Sequence, residues 1–320
     1  MITSDKSFEQ VDSLENLQKI ARNAGDPNAY LDTLETATSI ANTQTLVRWH
    51  RIGHDATHDK PDTDKLIDKL IGLLIDFACT RKERDEAIAE VQKTGSMQAT
   101  SALHEKARRL FTTSKTTGEV GELMLYFFAE HLLKYPQILC KFPLKTNPNV
   151  HAHGADGVHA SVDPATGHLR LHWGEAKLYQ DLGAAIEDCF ISLSEMILEP
   201  ANAKKTKRRD VELLRDFIDI NDSALELAIG EYLDPDNVLS KKVRYCGLAV
   251  IGFDLADYNT LTDEVAKKKV KDVSDRVEKW ANKIKSSVEK HELVGITMDV
   301  FCIPFLSVQE FRNAFLKRLG

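Results

Sequence analysis

The chain has 320 residues, of which 42% are hydrophobic and 28% charged, and a formal net charge of −7. This is ordinary globular composition, with enough length to build a core without disulfides or a structural metal. The negative balance excludes a uniformly basic nucleic-acid coat but leaves room for a local basic groove. Cys79, Cys140, Cys189, Cys246 and Cys302 lie far apart with no CxxC pair, which argues against zinc ribbons and disulfide scaffolds and suits a reducing compartment. The polar, acidic start does not read as a signal peptide, and no run has the apolar length needed to cross a bilayer. A cytoplasmic protein with no membrane association is therefore expected.

Residues 1–60 show short helical patterns, and His50 to Asp64 reads as a polar loop. His50, His54 and His58 recur at i, i+4, i+8, a spacing that would bring three metal ligands to one helix face. The stretch GHDATHDKPD is too polar for that and ends in Pro61, so solvated loop histidines are expected. Leu66, Ile67, Leu70, Leu73, Leu74 and Phe77 form an apolar stripe at helical spacing. A charged amphipathic helix follows over Arg81 to Val91, broken by Thr94-Gly95-Ser96. These patterns divide the chain into an N-terminal helical region, 1–110, and a core of different character, 111–320.

The core opens with an apolar helix over Gly118 to Tyr135. Thr116 and Glu119 fit a T-x-x-E capping box, which gives Glu119 a structural task. Glu122 has no such task. It lies among Val120, Leu123, Met124, Phe127 and Phe128, where a carboxylate needs a metal or a basic partner. Gln137 to Leu144 reads as a strand, followed by two more strands with a tight turn and a helix from Asp181 to Leu198. After a basic connection come a strand (Tyr245 to Phe253), a charged helix (Leu261 to Lys290), a strand (Val294 to Pro304) and a terminal helix (Val308 to Leu316). Helices mixed with a short sheet predict an α/β or α+β class.

The hairpin DGVHASVD-PATG-HLRLHWGEAK, residues 156–177, carries the chemistry. A four-residue turn, Pro164 to Gly167, pairs Asp163 with His168. Counting outward pairs Val162 with Leu169, Ala160 with Leu171, Val158 with Trp173 and Asp156 with Glu175. Because side chains alternate along a strand, one face is wholly apolar and ends in Asp156 opposite Glu175, with Lys177 next along. The other face carries His159, Ser161, His168, Arg170 and His172 and is expected to be solvated or to contact phosphate. Two neighbouring carboxylates at the edge of a buried face repel one another unless a cation joins them, and hard oxygen ligands suit Mg²⁺ or Mn²⁺. Such an ion polarises a phosphodiester and lowers the pKa of bound water. Lys177 is then placed to orient or deprotonate that water, or to stabilise developing phosphate charge. A plain Asp/Glu/Lys ion-pair cluster at a sheet edge is the competing reading.

A helix bearing Glu, an Asp opening a strand and an E-x-K closing the next resemble the PD-(D/E)xK nuclease superfamily, with Ala155 where a proline usually precedes the Asp. The wording of GEVGELMLYFFAEHLL, PQILCKFPLKTNPNVHAHGADGVHA and LHWGEAKLYQDLGAAIED is closer still, and is similar to the HamA family, the nuclease component of Hachiman anti-phage defence systems. The resemblance begins near Leu66, takes in DFACTRKERDEAI, and runs to Leu198 and more loosely to the C-terminus. It implies a restriction-endonuclease-like mixed sheet flanked by helices and a metal-dependent DNase. It implies catalytic positions at Asp156, Glu175 and Lys177, with the helix acid at Glu122 or Glu119; the main-chain carbonyl of Ala176 is expected to join Asp156 and Glu175 as a metal ligand. It also implies a partner, the superfamily 2 helicase HamB, that holds the nuclease silent until triggered.

Other constellations carry less. His151-x-His153 precedes Asp156 and forms a possible histidine metal pair. Lys204, Lys205, Lys207, Arg208 and Arg209 form the densest basic run, suited to DNA phosphates or to an acidic helicase surface. Lys267, Lys268, Lys269 and Lys271 alternate with acids and read as a salt-laced helix face. No Walker motif, GxGxxG or GxSxG occurs, so nucleotide hydrolysis and serine hydrolase chemistry are not supported. A non-catalytic helicase adaptor or DNA-end sensor, and an RNase of the same fold, remain alternatives.

Overall fold

The computed structural model describes residues 14, 16–21, 26–55, 60–113, 118–142, 154–198, 206–258 and 270–320. Its centre is a six-stranded mixed sheet. The strands are β1 (Leu31–Ser39), β2 (Thr45–Ile52), β3 (Gly157–Val162), β4 (Leu169–Tyr179), β5 (Arg244–Asp254) and β6 (Met298–Phe305). They lie side by side in the order β1, β2, β6, β5, β4, β3. β2, β6, β5 and β4 run parallel, and the edge strands β1 and β3 are antiparallel to their neighbours. Helices cover both faces, which gives the expected α+β class. On one face lie α1 (Thr63–Gly72), α2 (Leu74–Ala78), α3 (Arg81–Thr94), α4 (Gln98–Thr113), α5 (Glu119–Phe127) and the terminal α10 (Val308–Leu319). On the other lie α6 (Leu182–Ile197), α7 (Thr206–Asp216), α8 (Ser223–Leu233) and α9 (Val270–Lys290).

The amphipathic stripe over 66–77 forms α1 and α2, split at Leu73, with Leu66, Ile67, Leu70, Leu74 and Phe77 buried. α3 begins in a capping box between Thr80 and Glu83 and ends at Gly95 in the left-handed region (φ 70°). Residues 31–52 depart from the expected helical pattern. Thr-rich β1 and the alternating β2 form a hairpin whose Val47 and Trp49 enter the same core as Val300 and Cys302 of β6. The parallel β2–β6 pairing joins residues 45–49 to 298–302, a partner no local pattern reveals. His50 therefore lies in a buried strand, its ring near those of Phe128 and Phe301 (centroids 5.7 and 5.9 Å away), and not on a solvated loop. His58 lies outside the described residues.

Three further differences bear on the site. Gly118 is the N-cap of α5, without a side-chain capping bond, and Thr116 of the expected capping box lies outside the described residues. Of the expected strand Gln137 to Leu144, the described part, residues 137–142, does not form a full strand. It is an extended segment with one antiparallel bridge, Gln137 to His159, flanked by hydrogen bonds from Ile138 N to Val158 O and from Ala160 N to Pro136 O (both 3.0 Å). This segment covers the polar face of the hairpin. His159 and His172 are consequently buried rather than solvated: Nδ1 of His159 bonds the Tyr135 carbonyl at 3.0 Å, and His172 lies between the Tyr135 ring and the Ser161 hydroxyl.

The segment is pinned by a buried ion pair. Between α5 and the segment the helix widens to a π-turn over Phe128–Leu133, which places Glu130 inside the protein. Glu130 accepts a hydrogen bond from Gln137 N at 2.7 Å, and the Arg81 guanidinium donates to both Glu130 and the Gln137 carbonyl at 3.3 Å. Removing one partner leaves the other charge buried and uncompensated. Glu130→Ala is expected to cost about 3–5 kcal/mol, and Arg81→Met with Glu130→Leu together less than either alone. Urea unfolding of the single and double variants measures this.

Burial lowers the pKa of His50 and of His159 to about 4 and of His172 to about 3. In the unfolded chain such rings take up protons near pH 6.5. The unfolded state therefore binds more protons between about 6.5 and 4, and stability falls as pH falls through that window. Among the described residues, His50 has no hydrogen-bond partner at either ring nitrogen. His50→Phe should raise the urea midpoint at pH 7 and make its decline toward pH 4.5 shallower. An unchanged decline would show that this ring does not contribute to the acid sensitivity.

Candidate active site

The hairpin has the register that turn counting predicts: Val162 with Leu169, Ala160 with Leu171 and Val158 with Trp173. Asp156 immediately precedes β3. Its backbone N–H donates to the Gly174 carbonyl (2.7 Å), and its Oδ2 accepts from the Ala176 N–H (2.9 Å). The carboxylate is thus fixed at the end of β3, beside Glu175. Ala249 and Ile251 of β5 are the lateral partners of Glu175 and Lys177, so β4 is held between two strands where the site forms.

Glu175, Lys177 and Tyr179 alternate along the β4 face covered by α6. Lys177 Nζ stands 2.6 Å from Glu175 Oε1. The Glu175 side chain is almost fully buried, while that of Lys177 keeps 22% exposure, so the lysine forms the solvent-facing lip. α6 starts at Asp181, whose side chain caps Ala184 N, and it contributes Ser192, which hydrogen-bonds Glu175. At the outer end of the row, the Tyr179 hydroxyl donates to Asp188 Oδ2 at 3.0 Å.

The electrostatics are those of two acids crowded in a desolvated place. Burial and then the Glu175 charge push Asp156 up to about 6, against the opposing influence of the Ala176 N–H, Lys141 and Lys177. Burial also raises Glu175, although Lys177, Ser192 and Lys141 oppose it. Burial acts against the charge of Lys177, yet the Glu175 hydrogen bond and the nearby carboxylates hold its pKa above the ordinary lysine value. Lys177 is an ammonium at neutral pH.

Glu119 and Glu122 are both buried in the first turn of α5. α5 packs on the opposite face of β4: a methyl group on Gly121 would stand 3.3 Å from Ala176 Cβ, so glycine permits this close approach. Among the described residues, no group of three or more His, Cys, Asp or Glu side chains converges into a metal cage. The structure thus brings together Asp156, Glu175, Ala176 and Lys177, and leaves Glu122 and Glu119 on a helix across the strand. His151, His153, Lys204 and Lys205 lie outside the described residues, as do Lys267, Lys268 and Lys269. Lys207, Arg208 and Arg209 belong to the first turns of α7, which packs beside α6 on the site's side of the sheet. Lys141 and Ser192 are site residues that the motif did not reveal. A lysine inside the apolar run ILCKF was the available signal for the first; nothing local marked the second.

Comparison with known families decides the lineage. The HamA family model matches residues 28–319. The chain belongs to the HamA family. Membership places it in the Hachiman anti-phage defence system. The match begins at residue 28 and so takes in β1 and β2, well upstream of Leu66. No curated protein matches the chain significantly. No helix among the described residues of this HamA-family chain is long and apolar enough to cross a membrane.

Crowding of the acids has a measurable cost. The unfolded Asp156 ionises near 4 and the folded one near 6, so the folded state binds more protons in between and loses stability as pH rises through that range. In EDTA at pH 7, Asp156→Asn should be more stable than the parent by about 2 kcal/mol, discounted for partial solvent exposure. The gain should vanish near pH 4. Equal melting temperatures at pH 7 would contradict the crowding.

Proposed function

We propose that this protein is the nuclease effector of its defence system, hydrolysing DNA phosphodiester bonds in a divalent-metal-dependent reaction with little sequence specificity. The observation that carries the reading is the cross-strand placement of Asp156 beside Glu175, with Lys177 next on the same face. The donor set fits Mg²⁺ or Mn²⁺: two carboxylates with raised pKa and the Ala176 carbonyl are hard oxygen ligands, and Mg²⁺ commonly takes one or two carboxylates plus water and substrate phosphate. When bound, the ion would polarise the phosphodiester and lower the pKa of a coordinated water.

The chain's own residues divide the remaining work. Asp156 is oriented by the Ala176 N–H and Glu175 by Ser192 and Lys177. Lys177, kept protonated by Glu175, donates hydrogen bonds: it positions the attacking water or steadies charge on the phosphate, and is a poor general base in this state. Glu122, with Glu119 as the second candidate, completes or orders the site from α5. The basic run Lys204, Lys205, Lys207, Arg208 and Arg209 guides the DNA backbone toward α6. The superfamily 2 helicase HamB is the proposed controlling partner, and the cytoplasm the proposed place of action.

The test is integrity of plasmid and linear DNA in Mg²⁺, Mn²⁺ or EDTA, with the chain alone and with HamB and ATP. Metal-dependent cleavage is expected, reduced at least about 100-fold in Glu175→Ala and Lys177→Ala. Intact DNA in every condition supports the adaptor reading. Cleavage of RNA in preference to DNA would redirect the substrate assignment.

A further inference from the structure

Arg312, in the second turn of α10, is a half-buried cation without an acid. Its Nη2 donates to the Leu178 carbonyl at 2.6 Å, and its Nε is buried with no hydrogen-bond partner. Burial opposes its charge, with Tyr179 acting the other way. Arg48, Arg51, Arg81, Arg84, Arg170 and Arg276 each pair with an aspartate or glutamate. Among the described residues, Arg312 pairs with none. A desolvated cation costs stability until an anion meets it.

The Leu178 carbonyl ties this guanidinium to the candidate site. Backbone groups of successive residues in a strand point alternately to its two neighbours. The Gly174 carbonyl accepts from Asp156 N, and the Ala176 N–H donates to Asp156 Oδ2, so the even-numbered residues here face the β3 side. β3 begins at Gly157, opposite Gly174, whereas β5 stays paired with β4 as far as Tyr179. Beyond Gly174, therefore, β4 has no strand beside it on the β3 side among the described residues. Leu178 has the parity of Gly174 and Ala176. Its carbonyl, with Arg312 on it, lies on the same open edge as the Ala176 carbonyl and the Asp156 carboxylate, two residues or about 6.6 Å beyond Ala176.

We infer that Arg312 binds a backbone phosphate of the DNA substrate, the one next to the scissile phosphate, at the open edge of β4. The inference rests on the nuclease reading, which sets the scissile phosphate at the Asp156 and Ala176 end of that edge. The Leu178 carbonyl takes one of the five N–H groups of the guanidinium, and the planar fork keeps donors for phosphate oxygens. The phosphate supplies the counter-charge that the fold leaves out. An arginine that served only to satisfy the Leu178 carbonyl would need a donor there, and its charge would be a cost without a return.

The experiment measures the affinity of the full chain for a short DNA duplex across a NaCl series at fixed Ca²⁺, with Mn²⁺ affinity and melting temperature alongside, for Arg312→Gln, Arg312→Lys and Glu175→Ala. For Arg312→Gln, DNA is expected to bind about tenfold more weakly, with a dependence of log affinity on log salt shallower by about 0.9, the loss of one phosphate contact. Mn²⁺ affinity should be unchanged and the melting temperature not lowered. Arg312→Lys keeps the charge and should restore the salt slope. A parental slope in both variants, or one equally shallow in both, overturns the inference; a melting temperature lowered at parental DNA affinity makes Arg312 a structural cap of β4. Either result, in a protein whose Mn²⁺ binding depends on Glu175, leaves the nuclease reading standing. Mn²⁺ binding that is absent, or indifferent to Glu175→Ala, overturns the metal-site reading beneath it.

Discussion

The buried Arg81–Glu130 pair sets the geometry on which the site depends. Arg81 donates through Nε to the Asp219 carbonyl, through one terminal nitrogen to the Ile20 carbonyl, and through the other to Glu130 and the Gln137 carbonyl. Its backbone N–H also bonds the Asp219 carboxylate at 2.8 Å. One side chain thereby ties the N-terminal segment, α3, the π-turn, the segment along β3 and the connection before α8. A buried charge is tolerated only when it is this fully satisfied, and that requirement admits one arrangement of the five segments. Gln137 held in place fixes the path of residues 136–141, and hence which residues cover the hairpin and which reach its end.

The site itself is built from backbone regularity. A parallel sheet holds β4 rigidly, an antiparallel hairpin places Asp156 beside Glu175, and alternation aligns Lys177 and Tyr179 with them. Very little of this geometry depends on loops, and catalytic constellations on strands are held more tightly than those on loops. The acids are kept at raised pKa by burial and by one another. That crowding costs the folded protein stability at neutral pH.

The exposed cation of the acid cluster lies on the α6 side. Lys177 forms the exposed lip there, and α7, with the later part of the basic run in its first turns, packs beside α6. The protein as a whole is acidic, so a polyanion would be drawn to a restricted path rather than to the surface at large. Membership of the HamA family gives this arrangement its biological setting.

Local patterns in the sequence determined the elements whose partners are close in the chain. Turn chemistry at Pro164 to Gly167 and period-two alternation set the β3–β4 register residue by residue, because a one-residue slip would turn Val158, Ala160 and Trp173 away from their core. Asp181 and the apolar spacing behind it determined α6, and with these the core of the site was legible. Tertiary structure alone decided the rest. β2 finds β6 about 250 residues away along the chain, through parallel hydrogen bonds that leave no local signature. The histidine face of the hairpin looks solvated until Tyr135 and its neighbours cover it. Glu122 looks like a ligand from its apolar surroundings, yet α5 lies across the strand from Glu175. Alternation within a hairpin is a property of consecutive residues; which side of a sheet a distant segment covers depends on where buried charges can be satisfied, and that is settled only when the whole chain has packed.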